Sequence, residues 1–343
     1  MRIAVDAMGG DLGPEEVVRG VVQALRQNED GSTIYLLVGD EQALNRELAR
    51  HKGEPLLKNI CIHPATQTIE MTDKPHEVYR KKPDASVVVS ARLVKEGAAD
   101  AFVSIGNTGA AMAASMFLLR RIPGVDRPAI ATPLPSLAGQ VILLDAGANV
   151  DCVPQQLLEF ALMGQCHARR VLGIPNPSVG LLSNGEEESK GNELTRETHK
   201  LLKEKLPGFK GNVEGKDIFR GKANVIVCDG FDGNIVLKTG EGVAELVMNL
   251  LKEELTHNKW MKPFLWPFRN GLKRLRRRLD YREFGGAPLL GVNGVCIIGH
   301  GRSDARAIIG ALRVAETSVR ENVVQEIERA MLALKPPSVA AKP

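Results

Sequence analysis

Short apolar runs alternate with longer amphipathic segments along nearly the whole chain. The runs are rich in Val, Ile and Leu and predict buried strands at residues 3–5, 34–38, 101–104, 141–144, 179–182, 225–228 and 295–298. Helical spacing of apolar residues between them predicts helices at residues 15–26, 41–50, 86–96, 110–120, 154–170, 188–205 and 240–255. This alternation predicts an α/β fold of three layers, α/β/α, with a largely parallel sheet.

Near its end the chain returns to a helical pattern, which predicts one long helix from Ser303 to about residue 334, with Ser303 as its cap. No segment has the composition of a linker, so residues 1–335 are predicted to form a single domain. Within it, residues 257–282 form a basic amphipathic excursion. Residues 336–343, rich in proline, are predicted to be a frayed tail.

The composition is that of a globular protein, with 343 residues of which 43% are hydrophobic and 25% charged. The five cysteines are odd in number and lack metal-binding spacing, which is typical of free thiols in a reducing cytoplasm. The chain starts directly on a strand pattern, so no signal peptide is predicted. Residues 101–119 carry no charge, but polar and glycine residues from Ser104 to Gly109 interrupt them, and we predict no membrane span.

Six predicted strands end in polar turns that contain glycine. In a parallel sheet such turns meet at the carboxyl edge, where backbone amides and helix starts bind anions. The turns contribute these candidate ligand-binding residues: Asp6, Gly9, Gly10, Asp11, Asn107, Thr108, Gly109, Asp145, Asn149, Asn184 and Asn234. A single turn of this kind is explained equally well by helix capping, but six favour a ligand site.

Sequence motifs for nucleoside phosphate binding, for a serine nucleophile and for catalytic zinc are absent from the chain. A small oxyanion such as phosphate fits an edge rich in amides with few cations. The candidate cations include Lys190, which follows three glutamates, and His300, which lies between two glycines. The alternatives are that Lys190 is a solvated surface residue and that His300 has a structural role. For Asp6, Asp11, Asp145 and Asp229, capping or orienting other groups is favoured over direct chemistry. No metal or organic cofactor is predicted.

In six ordered blocks the sequence resembles the bacterial PlsX-type phosphate acyltransferases of phospholipid synthesis. The blocks are Asp6-Ala-Met-Gly-Gly-Asp11, Ser104-Ile-Gly-Asn-Thr-Gly-Ala110, Leu144-Asp-Ala-Gly-Ala-Asn-Val-Asp-Cys152, Asn184-Gly-Glu-Glu-Glu-Ser-Lys-Gly191, Cys228-Asp-Gly-Phe-Asp-Gly-Asn234 with Lys238, and His300-Gly301. Ile105, Gly185 and Asp232 depart from the family pattern, and the extra carboxylate of Asp232 puts the role of its loop in doubt.

The resemblance implies a fold similar to isocitrate and isopropylmalate dehydrogenases and to phosphotransacetylases, and a homodimer. It implies that the acyl group of a long-chain acyl carrier protein thioester is transferred to inorganic phosphate, giving acyl phosphate for a membrane glycerol-3-phosphate acyltransferase. Lys190, His300 and Asp229 are the expected catalytic residues. The alternatives are a phosphotransacylase for short-chain coenzyme A esters and a catalytically silent membrane-binding scaffold of the same fold.

The net charge of +4 conceals a basic segment, because residues 259–279 hold eight Lys and Arg and no acid. Without these eight, 37 basic residues face 41 acidic ones, and six of the 14 aromatic residues lie in or beside the segment. We favour reversible contact with an anionic membrane surface, on the cytoplasmic face of the cell membrane. A packed helix, a docking face for acyl carrier protein and, least favoured, a nucleic-acid site are the alternatives. The candidate contact residues are Trp260, Phe264, Trp266, Phe268, Leu272, Lys273, Arg274, Leu275 and Arg277.

Overall fold

The computed structural model describes residues 1–28, 31–70, 73–257, 271 and 285–334. Within these ranges the strands divide into two sheets. The first contains β1 (Arg2–Asp6), β2 (Ile34–Gly39), β3 (Ile60–Pro64), β4 (Ala101–Ser104), β5 (Ala129–Ile130), β11 (Ala287–Leu290) and β12 (Val295–Ile298). Their order is β3-β2-β1-β4-β12-β11-β5. Pairing is parallel from β3 to β12, whereas β11 runs antiparallel to both of its neighbours.

The second sheet contains β6 (Thr132–Ser136), β7 (Gly139–Leu144), β8 (Val179–Leu182), β9 (Phe209–Val213) and β10 (Val225–Val227). Their order is β6-β7-β10-β8-β9, and only the β6–β7 hairpin is antiparallel. Ala131 alone separates β5 of the first sheet from β6 of the second. The carboxyl ends of the parallel strands therefore belong to two neighbouring sheets.

Helices flank both sheets and bury their apolar faces against them. They are α1 (Gly13–Gln27), α2 (Glu41–Ala49), α3 (Pro75–Lys81), α4 (Ser86–Lys95), α5 (Thr108–Leu118), α6 (Pro154–Arg170), α7 (Glu193–Lys205), α8 (Gly215–Arg220), α9 (Gly230–His257), α10 (Ala305–Arg320) and α11 (Val323–Leu334). For example, α1 and α10 enclose one face of β1 and β4 in a common apolar cluster. The α/β class with mostly parallel sheets and flanking helices is confirmed.

The prediction of one continuous helix from Ser303 to residue 334 is wrong. The segment forms α10 and α11, and the break falls at Asn322, whose φ is +51°. Asparagine tolerates this left-handed conformation better than other non-glycine residues, so it ends one helix and allows the next to begin. Ser303 is buried, and Asp304 is the N-cap of α10 because its carboxylate accepts from the amides of Arg306 and Ala307.

Helix α9 is longer than predicted and much of its apolar surface is exposed. It starts at Gly230, ten residues before the expected start, and continues to His257. Val243, Leu246, Val247 and Leu250 are each 47–56% exposed, and their spacing places them on one side of the helix. The nine membrane or carrier contact candidates from Trp260 to Arg277 lie outside the described residues. In the described part of the chain, no helix combines the length and the apolar content needed to cross a membrane.

Candidate functional site

Three of the six predicted turns meet at one edge of the first sheet. They follow β1, β4 and β12, which are neighbours in the sheet. The Asp11 amide donates to the Gly301 carbonyl at 2.8 Å, which joins the first turn to the last. A Cβ atom on Gly106 would lie 2.7 Å from the Gly9 carbonyl oxygen, so the second turn packs directly on the first. Glycine is required here because the two backbones touch.

Asp6 holds this first group of turns from beneath. Its side chain is 2% exposed and accepts from the hydroxyls of Ser86 at 2.6 Å and Ser104 at 2.7 Å. The amide of Met8 donates to the same carboxyl, at 3.4 Å. Burial raises the pKa of Asp6, and the hydrogen bonds oppose that shift. Asp6 therefore orients the loops around it. Ser86 and Ser104 were not predicted as site residues. The sequence feature that could have identified them is a serine within an apolar run.

The start of α5 belongs to the same edge. The Asn107 side chain caps the helix by accepting from the Ala110 amide at 3.0 Å, and Thr108, the first helical residue, is exposed. A Cβ on Gly109 would lie 2.5 Å from Pro75 Cγ, so this glycine permits the close approach of α3. The amides of the first helical turn carry the positive end of the helix dipole, which favours an anion at this edge.

The turns after β7 and β10 form a second group, organised by Asp145. This carboxyl is fully buried and accepts from the amides of Ile130, Gly147, Ala148 and Asn149, and from the Asn149 side chain. Burial raises its pKa, and these donors oppose the shift. The Asn149 side chain also donates to the Pro128 carbonyl, at 2.8 Å. The Gly230 amide donates to the Asn149 carbonyl at 2.7 Å and connects the two turns.

The predicted turn from Asp229 to Asn234 is wrong, because of its residues only Asp229 lies between β10 and α9, and Asn234 belongs to the start of α9. The Asp229 carboxylate accepts from the Asp232 amide at 2.8 Å, at the start of α9. Burial and the negative charge of Asp229 raise the pKa of Asp232. A Cβ on Gly147, whose φ is +129°, would lie 3.5 Å from Asn234 Cβ. Asn234 therefore faces the turn that follows β7.

Cys152 lies beside the second group but is not a nucleophile near neutral pH. Its sulfur is 3.5 Å from the Asn149 carbonyl oxygen. Burial, together with the negative charges of Asp145 and Asp229, raises the pKa of its thiol to about 11. A thiol with that pKa remains protonated, whereas covalent catalysis by cysteine requires the thiolate.

The two groups approach each other through α5. Ala110 and Ala111 of α5 and Ala146 of the second group belong to one buried apolar cluster. Met112 and Ala148 pack against the same cluster. Met112 of α5 and Asn149 also line one depression, so α5 lies near the turn that follows β7.

Lys190 and Asn184 form the loop after β8, in the second sheet. The Asn184 side chain accepts from the Gly191 amide at 2.8 Å. A Cβ on Gly185 would lie 2.7 Å from Lys190 Cγ, so the glycine at this departure from the family pattern leaves room for the lysine stem. Glu186 pairs with Lys222 at 2.9 Å and Glu188 pairs with Lys203, which directs these two carboxylates to other cations. Lys190 itself is exposed.

His300 belongs to the first group of turns. It is exposed and lies two residues after the end of β12, and its Nδ1 accepts from the Arg302 amide at 3.3 Å. The neighbouring Gly301 touches Asp11, because a Cβ there would lie 2.9 Å from an Asp11 carboxylate oxygen. His300 and Lys190 therefore extend from the loops of different sheets.

One cluster of carboxylates in the described residues has a spacing that suits a metal ion. Oxygens of Glu186, Glu214 and Asp217 lie within 4.8 Å of one another. The Lys222 ammonium lies 2.9 Å from Glu186 and 3.6 Å from Asp217, so a cation already compensates this charge. The cluster is a salt-bridge network on the side of the second sheet.

Comparison with known proteins identifies relatives over nearly the whole chain. A family model described as "Fatty acid synthesis protein" matches residues 1–326. Phosphate acyltransferase of Geobacter sulfurreducens is 49% identical over 331 residues, covering 96% of this chain and 94% of the relative. Phosphate acyltransferase of Pelobacter propionicus is 51% identical over 328 residues, covering 95% and 93%.

Solved structures share the fold at low sequence identity. A phosphotransacetylase from Streptococcus pyogenes superposes with a TM-score of 0.60 at 17% identity, covering 94% of each chain. The EutD phosphotransacetylase from Staphylococcus aureus gives a TM-score of 0.57, also at 17% identity, covering 93% of this chain and 94% of that one. The implied similarity to the phosphotransacetylase fold is confirmed.

Proposed function

Because the chain belongs to the phosphate acyltransferase family whose model is described as fatty acid synthesis protein, we propose that it transfers a long-chain acyl group from acyl carrier protein to inorganic phosphate. The observation that carries the proposal is identity at about half of the aligned positions over some 95% of the chain. The product is acyl phosphate. Its proposed consumer is a membrane glycerol-3-phosphate acyltransferase, which places the reaction at the first step toward phosphatidic acid.

Phosphate is proposed to bind between the two groups of turns, at the start of α5. The amides of Thr108 and Gly109 and the turn of Gly9, Gly10 and Asp11 supply donors, and Asn149 and Asn234 border the site from the second sheet. Asp6 and Asp145 keep these turns in place through the hydrogen bonds described above. This arrangement supports binding by preorganised amides, which gain electrostatic strength where water is excluded.

The chemical step needs no covalent enzyme intermediate. A phosphate oxygen attacks the thioester carbonyl carbon, forming a C–O bond and a tetrahedral oxyanion. Collapse of the oxyanion breaks the C–S bond, and the carrier thiolate leaves with the electron pair and takes up a proton. Phosphate is already an anionic nucleophile, so catalysis consists of positioning and of stabilising the oxyanion. We assign Lys190 and His300 to stabilising the negative charges of phosphate and of the oxyanion. We assign Asp229 to orienting the loop at the start of α9.

The proposal includes a homodimer and reversible membrane contact. The exposed apolar side of α9 supports the dimer, because such a stripe on a long helix is typical of a helix that packs on a partner. The basic segment at residues 257–282 follows α9 directly and supports contact with the anionic cytoplasmic face of the cell membrane.

Activity is tested with the purified full chain, a long-chain acyl carrier protein and phosphate. We expect phosphate-dependent release of carrier thiol, measured with a thiol reagent, and acyl phosphate detected by phosphorus NMR. Sulfate in place of phosphate is the control for ionic strength. Rapid turnover of a short-chain coenzyme A ester in place of the carrier substrate would instead identify a phosphotransacylase. If neither donor is turned over, the catalytically silent scaffold is the remaining alternative.

The same assay tests the assigned cations. Lys190→Ala and His300→Ala should each lower acyl phosphate formation about 100-fold or more, the loss typical of an oxyanion-stabilising group. Lys200→Ala, which removes an exposed lysine of α7, is the matched control and should retain full activity. Near-normal turnover by both of the first two variants would refute their assignment while leaving the transfer reaction in place.

A further inference from the structure

The loop after β8, which carries Lys190, has no apolar side chain that could anchor it to a core. Its residues from 183 to 192 are Ser-Asn-Gly-Glu-Glu-Glu-Ser-Lys-Gly-Asn. Side chains of these types gain nothing from burial in an apolar core. The conformation of the loop, and with it the position of the Lys190 stem, therefore depends on hydrogen bonds and ion pairs.

The backbone of Lys190 belongs to a turn that closes on one carbonyl group. The Lys190 amide donates to the Glu187 carbonyl at 3.0 Å. The side-chain amide of Asn212, on β9, donates to the same carbonyl oxygen at 2.9 Å. A carbonyl oxygen has two lone pairs and can accept both bonds. Asn212 is therefore separated from the backbone of Lys190 by a single shared acceptor.

A β-bulge in β9 determines which face of the sheet Asn212 occupies. Val179 pairs with Phe209 and Leu181 pairs with Asn212, so β9 contains one extra residue between these two pairs. Gly211 lies within the bulge at a φ of +93°, a conformation that glycine permits. In a regular strand Phe209 and Asn212 would point to opposite faces, whereas the bulge brings both to the face covered by α7.

His199 of α7 contacts both of these residues. Its Nδ1 lies 2.8 Å from Asn212 Oδ1, and its ring packs edge-on against Phe209. Because the Asn212 amide donates to a carbonyl, its oxygen is the atom that faces His199, and His199 Nδ1 is the donor. Asn212 is 2% exposed and His199 4%. Hydrogen bonds shielded from water in this way are costly to break, since the remaining partner is left unsatisfied.

The other bonds of the loop hold different parts of it. Its end is fixed at Gly191, whose amide donates to the Asn184 side chain at 2.8 Å and whose carbonyl accepts from Arg196 at 2.6 Å. Glu188 pairs with Lys203, but both side chains are more than 60% exposed, and exposed ion pairs contribute little. The buried bond from Asn212 is therefore the one that holds the turn leading to Lys190.

We propose that Asn212, held in turn by His199, is a positioning residue for Lys190. It fixes the turn from Glu187 to Lys190 before substrates bind, so the ammonium group needs little further ordering in the reaction. This inference rests on the proposed function, in which Lys190 stabilises the negative charges of phosphate and of the oxyanion. Asn212 and His199 act only through Lys190 and contact no substrate.

Kinetics of Asn212→Leu, alone and combined with Lys190→Ala, test the assignment. Leucine is branched at the same atom as asparagine but neither donates nor accepts. Alone, Asn212→Leu should lower kcat/KM for phosphate about tenfold, the effect of a displaced catalytic group, and leave KM for acyl carrier protein unchanged. In the Lys190→Ala background it should cause little further loss, because the group that it positions is gone. The same loss in both backgrounds would overturn the proposal.

Asn224→Leu is the matched control. The Asn224 side chain also joins two strands of the second sheet, since its oxygen accepts from the amide and the hydroxyl of Ser178, at 2.9 Å each. Both residues precede their strands, so this contact lies at the opposite end of the sheet from Lys190. Per folded molecule, measured by circular dichroism at the assay temperature, Asn224→Leu should retain the kcat/KM of the wild type.

Hydrogen exchange measured by mass spectrometry gives a readout that does not depend on activity. The peptide that contains residues 184–191 should exchange faster in Asn212→Leu than in the wild type, because the turn has lost its buried bond. In Asn224→Leu the exchange of this peptide should equal that of the wild type. Unchanged exchange in Asn212→Leu would show that Asn212 does not hold the loop, and would overturn the proposal.

Two substitutions of His199 test the second hydrogen bond and decide the case if Asn212→Leu does not fold. His199→Asn keeps an N–H group near the position of Nδ1 and should retain kcat/KM for phosphate. His199→Leu should lower it about fivefold, the loss of one hydrogen bond. Equal losses in the two variants would assign the effect to packing on Phe209, and no loss in either would remove His199 from the relay; both results overturn its role.

The outcomes separate this inference from the function on which it rests. If the wild type transfers no acyl group to phosphate from any donor, the proposed function fails and the positioning role fails with it. If the wild type is active but Asn212→Leu retains its kcat/KM for phosphate, the function stands and only the positioning role is refuted.

Discussion

At the scale of single residues, buried carboxyl groups carry much of the organisation of the site. Asp6 accepts from two serine hydroxyls contributed by α4 and β4, and Asp145 accepts from amides spread from Ile130 to Asn149. Each group ties together segments that are distant in sequence. Burial raises the pKa of both carboxyls, and the hydrogen bonds that they accept oppose that shift.

The raised pKa of Asp6 predicts a pH dependence of stability. Its carboxyl holds a proton to higher pH when folded than in the unfolded chain, where the value is 3.8. Between pH 4 and the folded pKa, the folded state therefore binds more protons, and the free energy of unfolding falls as pH rises. The fall attributable to Asp6 is at most about 1.4 kcal/mol per pH unit.

The measurement is urea unfolding of the wild type and of Asp6→Asn from pH 4 to pH 8. Because the amide does not ionise, the difference in free energy of unfolding, wild type minus variant, should decline with rising pH. Asp84→Asn is the control, because hydrogen bonds from Thr66 lower the pKa of Asp84, so its difference should not decline over this range. A constant difference for Asp6 across the range would show that its carboxyl is already ionised at pH 4.

At the scale of elements, the central strands and the long helices could be predicted from the sequence, whereas the edges could not. Strands β1, β4 and β12 are buried on both faces, so they appear as continuous apolar runs. Strand β6 contains two prolines that occupy an edge position, and β5 has only two residues. Such strands form because they pair with strands that are brought beside them by the fold. The local sequence pattern carries no information about that pairing.

The candidate site, too, has parts that could be predicted from the sequence and parts that could not. The turns at the carboxyl edge could be predicted, because glycine together with Asn or Asp directly after an apolar run indicates a turn from the local sequence alone. Which turns meet depends on strand order: β1, β4 and β12 are neighbours although they are far apart in sequence.

Helix α9 gives a prediction at this scale. If its exposed apolar side packs on a second copy of the chain, a charge there should dissociate the dimer. Leu246→Glu should shift the molar mass in solution from dimer to monomer, measured by size-exclusion chromatography with light scattering. Asn249→Glu introduces the same charge at a polar exposed position on the same helix and should remain dimeric. A wild type that is itself monomeric at micromolar concentration would contradict the proposed dimer.

At the scale of the whole molecule, charge and chemistry are separated along the chain. The two sheets and their turns belong to the slightly acidic part, with 37 basic and 41 acidic residues, and eight further cations lie within residues 259–279. An acidic body gains little from approaching an anionic membrane. The proposed membrane contact would therefore come from the basic segment, and we expect it to be reversible, because a few surface charges and partly inserted apolar side chains give moderate affinity.

Sedimentation with lipid vesicles tests this separation. Vesicles rich in phosphatidylglycerol should pellet the wild type, and vesicles of phosphatidylcholine should not, because each Lys or Arg near an anionic surface contributes about 1 kcal/mol. Added salt should release the protein, since exposed charges are screened beyond about 10 Å at 0.1 M. The double variant Leu272→Glu/Leu275→Glu should lose most of the pelleting while retaining phosphate-dependent turnover of a soluble donor. Gln42→Glu/Asn45→Glu adds the same charge to α2 and should pellet like the wild type; if it loses pelleting equally, the effect belongs to net charge and not to the basic segment.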